Sequence, residues 1–488
     1  MITRLKVKGF KNLFDVDISF GAFTCIAGVN GVGKSNLFDA INFLSKLSDK
    51  TPLEAAFSIR ESQSEKRSVE DIRSIFYNDG KKYGDRMEFE VDMIIPETGT
   101  DHLGQNAVAT VTSLRYHLIL SYRKETEDIP SNPIEILLEE LKPISKAEIK
   151  RTLKRIGGSD AWINSVLKGH RQNARAFIET NAAEKRVIIR QDGKGGNKKE
   201  LQINLLRKTV LSSSNAIENP TMLIVKKEME SWQLLQLEPS SLRSPDDLVF
   251  SESPKVQTDG RHLPATLYRL INDKRIKIDC KAEIANRLSE LIDDVFEVDV
   301  EKDNKRDILT LMVKSKGGQF MPAKSLSDGT LRFLALSIIE IDPEMQGVIC
   351  LEEPENGIHP SRIPAILKLL KDISVDIGFN VATDNPLRQV IINTHSPLVV
   401  SEVPEDSLIY ADVRKIKTEN KDYRTVTFMP LPRTWRAKEN PKQETIVKGM
   451  LIEYLNPYRF KNDNDENEFR PLGRVIDRQE LKQLSLFQ

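Results

Sequence analysis

Cysteine is scarce in this 488-residue chain: Cys25, Cys280 and Cys350 stand far apart and form no CxxC pair. That excludes a disulfide framework and a cysteine-rich zinc module, and it suits a reducing cytoplasm. Histidine is sparse too, with six residues and no HExxH, so a dedicated protein cage for a metal is not expected. No apolar run reaches the ~18 residues that a membrane-spanning helix needs. The start, MITRLKVKGF, alternates apolar and basic residues and lacks the apolar core of a signal peptide.

Net charge is also missing, since 72 Lys+Arg balance 72 Asp+Glu. A small histone-like polycation is excluded, and 39% hydrophobic residues exclude an acidic disordered chain. The balance is uneven along the chain. Arg151 to Val210 holds fourteen Lys/Arg against five Asp/Glu, so everything else sums to minus nine. Segment 151–210 is therefore a candidate for DNA phosphates or for an acidic partner protein, and a solvated surface has the same composition.

The chain is long enough for two folding units or for one large domain with an insertion. Leu5 and Val7, and then Val16, Ile18 and Phe20, alternate with polar residues and predict two strands. AFTCIA at 22–27 is continuously apolar, as in a buried central strand, and it runs into GVNGVGKSN. A helix follows with Leu37, Ile41 and Leu44 on one face, and Met87, Phe89, Val91 and Met93 predict a further strand. IEILLEELKPISKAEIKRTLKRI reads as two helices broken at Pro143. VIIRQDGKGGNKKELQINL reads as a hairpin, and KAEIANRLSELIDDVF as a helix carrying Ile284, Leu288, Leu291 and Val295 on one face. From about 306, ILTLMV, LRFLALSIIEI, GVICLEE, SRIPAILKLLKDI and QVIINTHS alternate strand and helix. This rhythm predicts an α/β fold with a largely parallel sheet. The expected division is one α/β lobe built from 1–125 and 306–430, an insertion lobe over 126–305, and a helix with a polar tail over 431–488.

The pattern Gly28-x-x-x-x-Gly33-Lys34-Ser35 lies between a buried strand and a helix, the context a phosphate-binding loop requires. Its backbone N–H groups and the helix N-terminus favour anions. Asn30, Gly31, Gly33, Lys34, Ser35 and Asn36 are accordingly the expected nucleotide contacts. Lys34 reaches the β- and γ-phosphates, and the Ser35 hydroxyl ligates Mg²⁺. GVICLEEPE has the form of a Walker B strand with carboxylates at its C-terminal end. Glu352 is expected to hold Mg²⁺ and Glu353 to orient the attacking water. An Asp is usual at the first of these positions, and Glu is one methylene longer. Ser327-Asp328-Gly329 opens an apolar helix in the manner of an anion-binding turn, although an ordinary N-cap has the same residues. His395 ends the next predicted strand, within reach of a γ-phosphate.

In this order GKSNLFDAI, SLSDGTLRFLAL, LEEPENGIHP and INTHSPLVV resemble the ABC-type ATPase heads of the SMC, RecF and OLD group. AAA ATPases of bacterial anti-phage defence, such as those of the Septu and PARIS systems, belong to that group. The resemblance covers roughly the first hundred residues and 320–405. It implies ATP and Mg²⁺ sandwiched between two subunits, with Ser327 and Gly329 on the partner's nucleotide. It implies Glu353 as the hydrolytic base, His395 as γ-phosphate sensor, and Lys11 and Asn12 near the nucleotide. No room exists for SMC arms, and no TOPRIM-like acidic constellation follows His395, so nuclease chemistry is not expected. Asp463, Asp465, Glu466 and Glu468 read as a solvated loop. The resulting expectation is an ATP-driven switch that forms at least a dimer and controls a separate effector, nuclease or toxin. A RecF-like DNA clamp and an ATP-bound scaffold without turnover are the alternatives.

Overall fold

The computed structural model describes residues 1–59, 72–123, 133–169, 175–192, 198–248, 254–291, 295–315, 318–418, 421–441 and 443–455. Among these, two large sheets dominate unit Met1–Ile446. One has six strands in the order Gln233–Leu235, Gly347–Glu352, Arg388–Thr394, Phe23–Ala27, Leu408–Thr418 and Lys421–Pro430. The first five run parallel and the last antiparallel, so the expected α/β class with a mixed, largely parallel sheet holds. Phe23–Ala27 is central and fully buried because neighbours cover both its edges and both its faces.

The other sheet is antiparallel, with eight strands running from Lys198–Gln202 at one edge through Ile134–Pro143, Ser113–Tyr122 and Arg86–Ile94 to Ile2–Phe10 and Leu13–Ser19. The alternating residues Leu5, Val7, Met87, Phe89, Val91 and Met93 all face its core. The helix Lys34–Leu47 contributes Leu37, Phe38, Phe43 and Leu44 to that core, none of them exposed. Its Phe43 meets Phe10 and Phe89 of the antiparallel sheet, each at 5.7 Å between ring centres. Val348, Cys350 and Ile391 of the parallel sheet join the same cluster. One contiguous apolar core thus fixes the start of this helix relative to both sheets.

Two expectations fail here. Residues 134–143 form a strand and not a helix, and only Lys146–Arg155, capped by Ser145, is helical. Pairing with Ser113–Tyr122 overrides a local pattern that fits either structure. The register shifts where Ile119 faces Leu138 and Leu120 faces Ile136, which leaves Leu137 as the extra residue of a bulge. Ile134 and Ile136 point inward before the bulge, and Glu139 and Leu141 point inward after it. The second failure concerns Val295. The helix runs over Cys280–Leu291, with Ile284 and Leu288 buried, whereas Val295 opens the strand Val295–Asp303. That strand pairs with Ile308–Ser315 in a smaller sheet.

The expected hairpin is present as Arg186–Arg190 against Lys198–Gln202, while its glycine-rich turn lies outside the described residues. Unit Val447–Gln488 contributes the helix Lys448–Leu455, and the acidic run at 463–468 also lies outside the described residues. No helix among the described residues is long and apolar enough to cross a membrane.

Candidate nucleotide site

The parallel strands Phe23–Ala27, Gly347–Glu352 and Arg388–Thr394 end side by side, and their C-terminal ends carry the three motifs. Gly28–Gly33 turns from the first strand into the helix, and Gly33 stands at its N-cap with φ +102°. A Cβ there would lie 1.9 Å from the Asn12 side chain, so only glycine fits. Asn12 braces the loop by donating to Val32 O at 3.0 Å and accepting from Asn36 Nδ2 at 2.8 Å. The Lys11 ammonium pairs with buried Asp39 of the helix that the loop opens, at 2.7 Å. Asn30 and Gly31 are exposed at the loop tip, and Ser35 is half-buried in the first helical turn.

Lys34 is buried and curls back into its own loop, donating to Gly28 O at 2.6 Å and Val29 O at 3.0 Å. Burial lowers its pKa, against the opposing pull of Glu353, Glu355 and Glu352. The loop therefore presents backbone donors and one ammonium, the equipment for an anion.

Glu353 follows the strand with φ +46°, a left-handed backbone uncommon for glutamate. Its N–H donates to Asn393 O at 3.0 Å, which fixes the turn. Its carboxylate is held by His395 Nδ1 at 2.6 Å and Asn356 Nδ2 at 2.9 Å. Burial works to raise its pKa, but Asn356, His395 and Lys34 outweigh that and hold it below the usual glutamate range. Such a group is ionised at neutral pH and available as a proton acceptor. Glu352 is half-buried, with Asn393 Nδ2 at 3.5 Å.

Glu355 was not singled out among the acidic residues of LEEPENGIHP. It is buried and receives the Thr394 hydroxyl, while its Oε2 has no partner, and burial raises its pKa. Only the order of strand ends could have flagged it, since Thr394 sits on a strand 39 residues away. Cys25 and Cys350 are buried in the same sheet, where burial raises both thiols far beyond reactivity.

The Ser327 turn acts as a helix N-cap, with its hydroxyl accepting from Thr330 N at 3.3 Å. Ser327 itself is exposed, and its side-chain bonds stay within this turn. Gly329 is buried against the loop after Glu353: a Cβ on it would lie 2.2 Å from Gly357 O. Arg332 adds a bond to Asn356 O at 3.0 Å. Arg243, which carries no motif, holds the turn from outside through Leu326 O and Asp328. The fold thus brings Lys34, Glu352, Glu353 and His395 together, and links Ser327 and Gly329 to them through the 353–357 loop.

With this geometry in view, residues 163–401, just under half of the chain, match the family described as "AAA domain, putative AbiEii toxin, Type IV TA system". Solved structures similar to the chain include SMC heads. One is an SMC head bound to the C-winged helix domain of ScpA, at 14% identity and TM-score 0.45, covering 88% of this chain and 98% of that one. Another is an Smc head with an extended coiled coil bound to the C-terminal domain of ScpA derived from Pyrococcus furiosus, at 12% identity and TM-score 0.43, covering 91% and 99%. A third is the SMC head domain from Thermotoga maritima, at 11% identity and TM-score 0.37, covering 88% and 98%. No curated protein sequence matches the chain. The family match and the motif geometry agree on a nucleotide-binding domain of ATPase type.

Among the described residues no three His, Cys, Asp or Glu side chains converge as a metal cage. Ser35 opens the helix after Phe23–Ala27, and Glu352 ends a strand two places away in the same sheet; a hydroxyl and a carboxylate are the oxygen donors that Mg²⁺ takes alongside phosphate and water.

Proposed function

We propose that this protein is an ATP-binding and ATP-hydrolysing switch whose heads close in pairs around nucleotide and control a separate effector, a nuclease or toxin, in cytoplasmic anti-phage defence. The observation that carries this reading is the ionised Glu353 carboxylate, held between His395 and Asn356 and coupled by charge to buried Lys34. In this reading Lys34 turns from its loop carbonyls to the phosphates, and Glu353 accepts a proton from water. The water oxygen bonds to the γ-phosphorus as the bond to the bridging oxygen breaks, and ADP leaves with that electron pair. Mg²⁺, held by Ser35 and Glu352, would neutralise phosphate charge. His395 positions Glu353 and senses the γ-phosphate. The exposed Ser327 turn, joined to the Glu353 loop through Gly329, addresses the partner's nucleotide, which makes closure of two heads depend on ATP. The toxin–antitoxin description of the matched family supports an effector that harms the cell.

The rival DNA clamp draws on segment 151–210. There Lys154, Arg155, Arg186, Arg190 and Lys199 already pair with Asp160, Glu439, Glu200, Glu179 and Glu218, which leaves less charge for DNA phosphates. The deciding experiment is Glu353→Gln. It should bind ATP, lose roughly 10²–10⁴ in turnover, and accumulate as an ATP-dependent dimer in light scattering. Rapid turnover by this variant would sink the assignment. A wild-type protein that releases no phosphate in single-turnover conditions would instead make ATP a structural ligand.

A further inference from the structure

Glu353 is gripped at both carboxylate oxygens, and the two supports come from different parts of the fold. His395 Nδ1 meets Oε1 at 2.6 Å, from the end of the strand Arg388–Thr394 that pairs with Gly347–Glu352. Asn356 Nδ2 donates to Oε2 at 2.9 Å, from the loop that follows Glu353. The first support is fixed by the sheet, and the second goes where the loop goes. That loop is a tight turn: Asn356 N donates to Glu353 O and Ile358 N to Glu355 O, each at 3.0 Å. Its backbone is left-handed at Glu353, with φ +46°, and at Gly357, with φ +79°. A shift of Asn356 therefore reaches the carboxylate that it holds.

Asn356 in turn is held by the helix Asp328–Ile341. Arg332, just past the first turn of that helix, donates from Nη1 to Asn356 O at 3.0 Å and from Nε to Leu237 O at 3.3 Å. A planar guanidinium bridges two carbonyls at fixed angles, which the single ammonium of a lysine does not. Gly329 closes the same contact one turn earlier, since a Cβ there would lie 2.2 Å from Gly357 O. The other carbonyl belongs to a segment without a motif. Leu237 is buried and left-handed, with φ +45°, and its neighbours Gln236 N and Glu238 N donate to Thr258 O and Asp259 O at 2.7 and 2.8 Å. Further along this segment, Arg243 holds Leu326 O and Asp328 at the start of the same helix. Segment 237–243 and the helix are thus bonded at two points, and Arg332 links both to Asn356.

We propose, on the reading of Glu353 as the base, that Arg332 and Asn356 are positioning residues that aim its carboxylate according to where helix Asp328–Ile341 and segment 237–243 stand. Hydrolysis is thereby tied to a part of the fold outside the phosphate loop. A misplacement of about 1 Å in a reacting group can cost roughly 100-fold in rate, while ATP binding depends on the loop around Lys34. The test is phosphate release by the full chain over a range of ATP concentrations. Asn356→Ala and Arg332→Ala should each lower kcat at least ~10-fold, with KM changed less than about twofold and the ATP-dependent dimer retained in light scattering. Asn356 is exposed, so its variants leave the core untouched, and thermal melts verify that each variant is folded. Asn356→Gln, which keeps the amide donor, should recover part of the loss, and Asn356→Asp, equal in size without the donor, none. The double variant Arg332→Ala/Asn356→Ala should be no slower than Asn356→Ala, because the two residues act in series. Losses that multiply in the double variant would overturn the proposal. So would an unchanged kcat in Asn356→Ala, or a KM that rises as much as kcat falls. Glu353→Gln, measured alongside, separates the failures: full turnover there defeats the base assignment, whereas its expected loss together with multiplying effects defeats the relay alone.

Discussion

The edge of the parallel sheet and the interior of the antiparallel sheet each hold a glutamate out of bulk water, and they treat it in opposite ways. At the parallel edge Glu353 is kept ionised by Asn356, His395 and Lys34. In the antiparallel sheet Glu139 is fully buried, and burial pushes its carboxyl up to about 7, against the donors Leu211 N, Val210 N and Tyr116 OH. The first is a charge delivered to a surface where a substrate can meet it. The second ties segment 209–213 to the sheet. Position at a strand end makes a carboxylate chemical, and position behind a bulge makes it structural.

Substitutions should separate the two roles cleanly. Lys34→Ala is expected to have the largest effect, weakening ATP binding at least ~100-fold in calorimetry with little change in the melting curve, because the loop ammonium is removed and the core is untouched. A large loss of stability would mean that Lys34 holds the fold and not the ligand.

Glu139→Gln should do the reverse. The folded carboxyl keeps its proton up to about 7 while the unfolded one loses it near 4.5, so the native state binds more protons in that window. The Glu139 contribution is therefore fully present below pH 4.5 and declines as pH rises to about 7. That decline is on the order of 3 kcal/mol. Urea unfolding across this range should show a steeper decline for the wild type than for Glu139→Gln, with ATP binding equal in both. Parallel curves would break the contrast with Glu353.

Ser327→Ala is the smallest and sharpest case. Loss of an N-cap costs about 1 kcal/mol. A role toward the partner's nucleotide adds loss of ATP-dependent dimer at unchanged monomer affinity for ATP, read by light scattering. A variant with the stability cost alone would reduce Ser327 to a cap.

Much of this contrast was legible from local sequence on one side only. The P-loop, LEE and His395 lie where a buried apolar run meets polar residues, and in a parallel sheet such ends gather at one edge without further information. The same logic located the helix Lys34–Leu47 and the strand pair 186–202. Residues 134–143 failed because I-x-x-L-L-x-x-L spacing suits a helix, while pairing with 113–122 is decided by contacts distant in sequence. The bulge at Leu137 reverses which side Glu139 faces, and no short-range pattern encodes that. Glu355 and Arg243 were missed for a related reason, since each acquires its role from a residue on another element.

The left-handed backbone at Glu353 has a consequence for how this site can vary over time. Residues branched at Cβ are strained in that conformation, so valine, isoleucine and threonine are disfavoured there whatever the reaction demands. A lineage that abandons hydrolysis while keeping the fold is then steered toward glutamine, asparagine, aspartate or glycine. The backbone narrows the evolutionary exits from this position before chemistry is consulted.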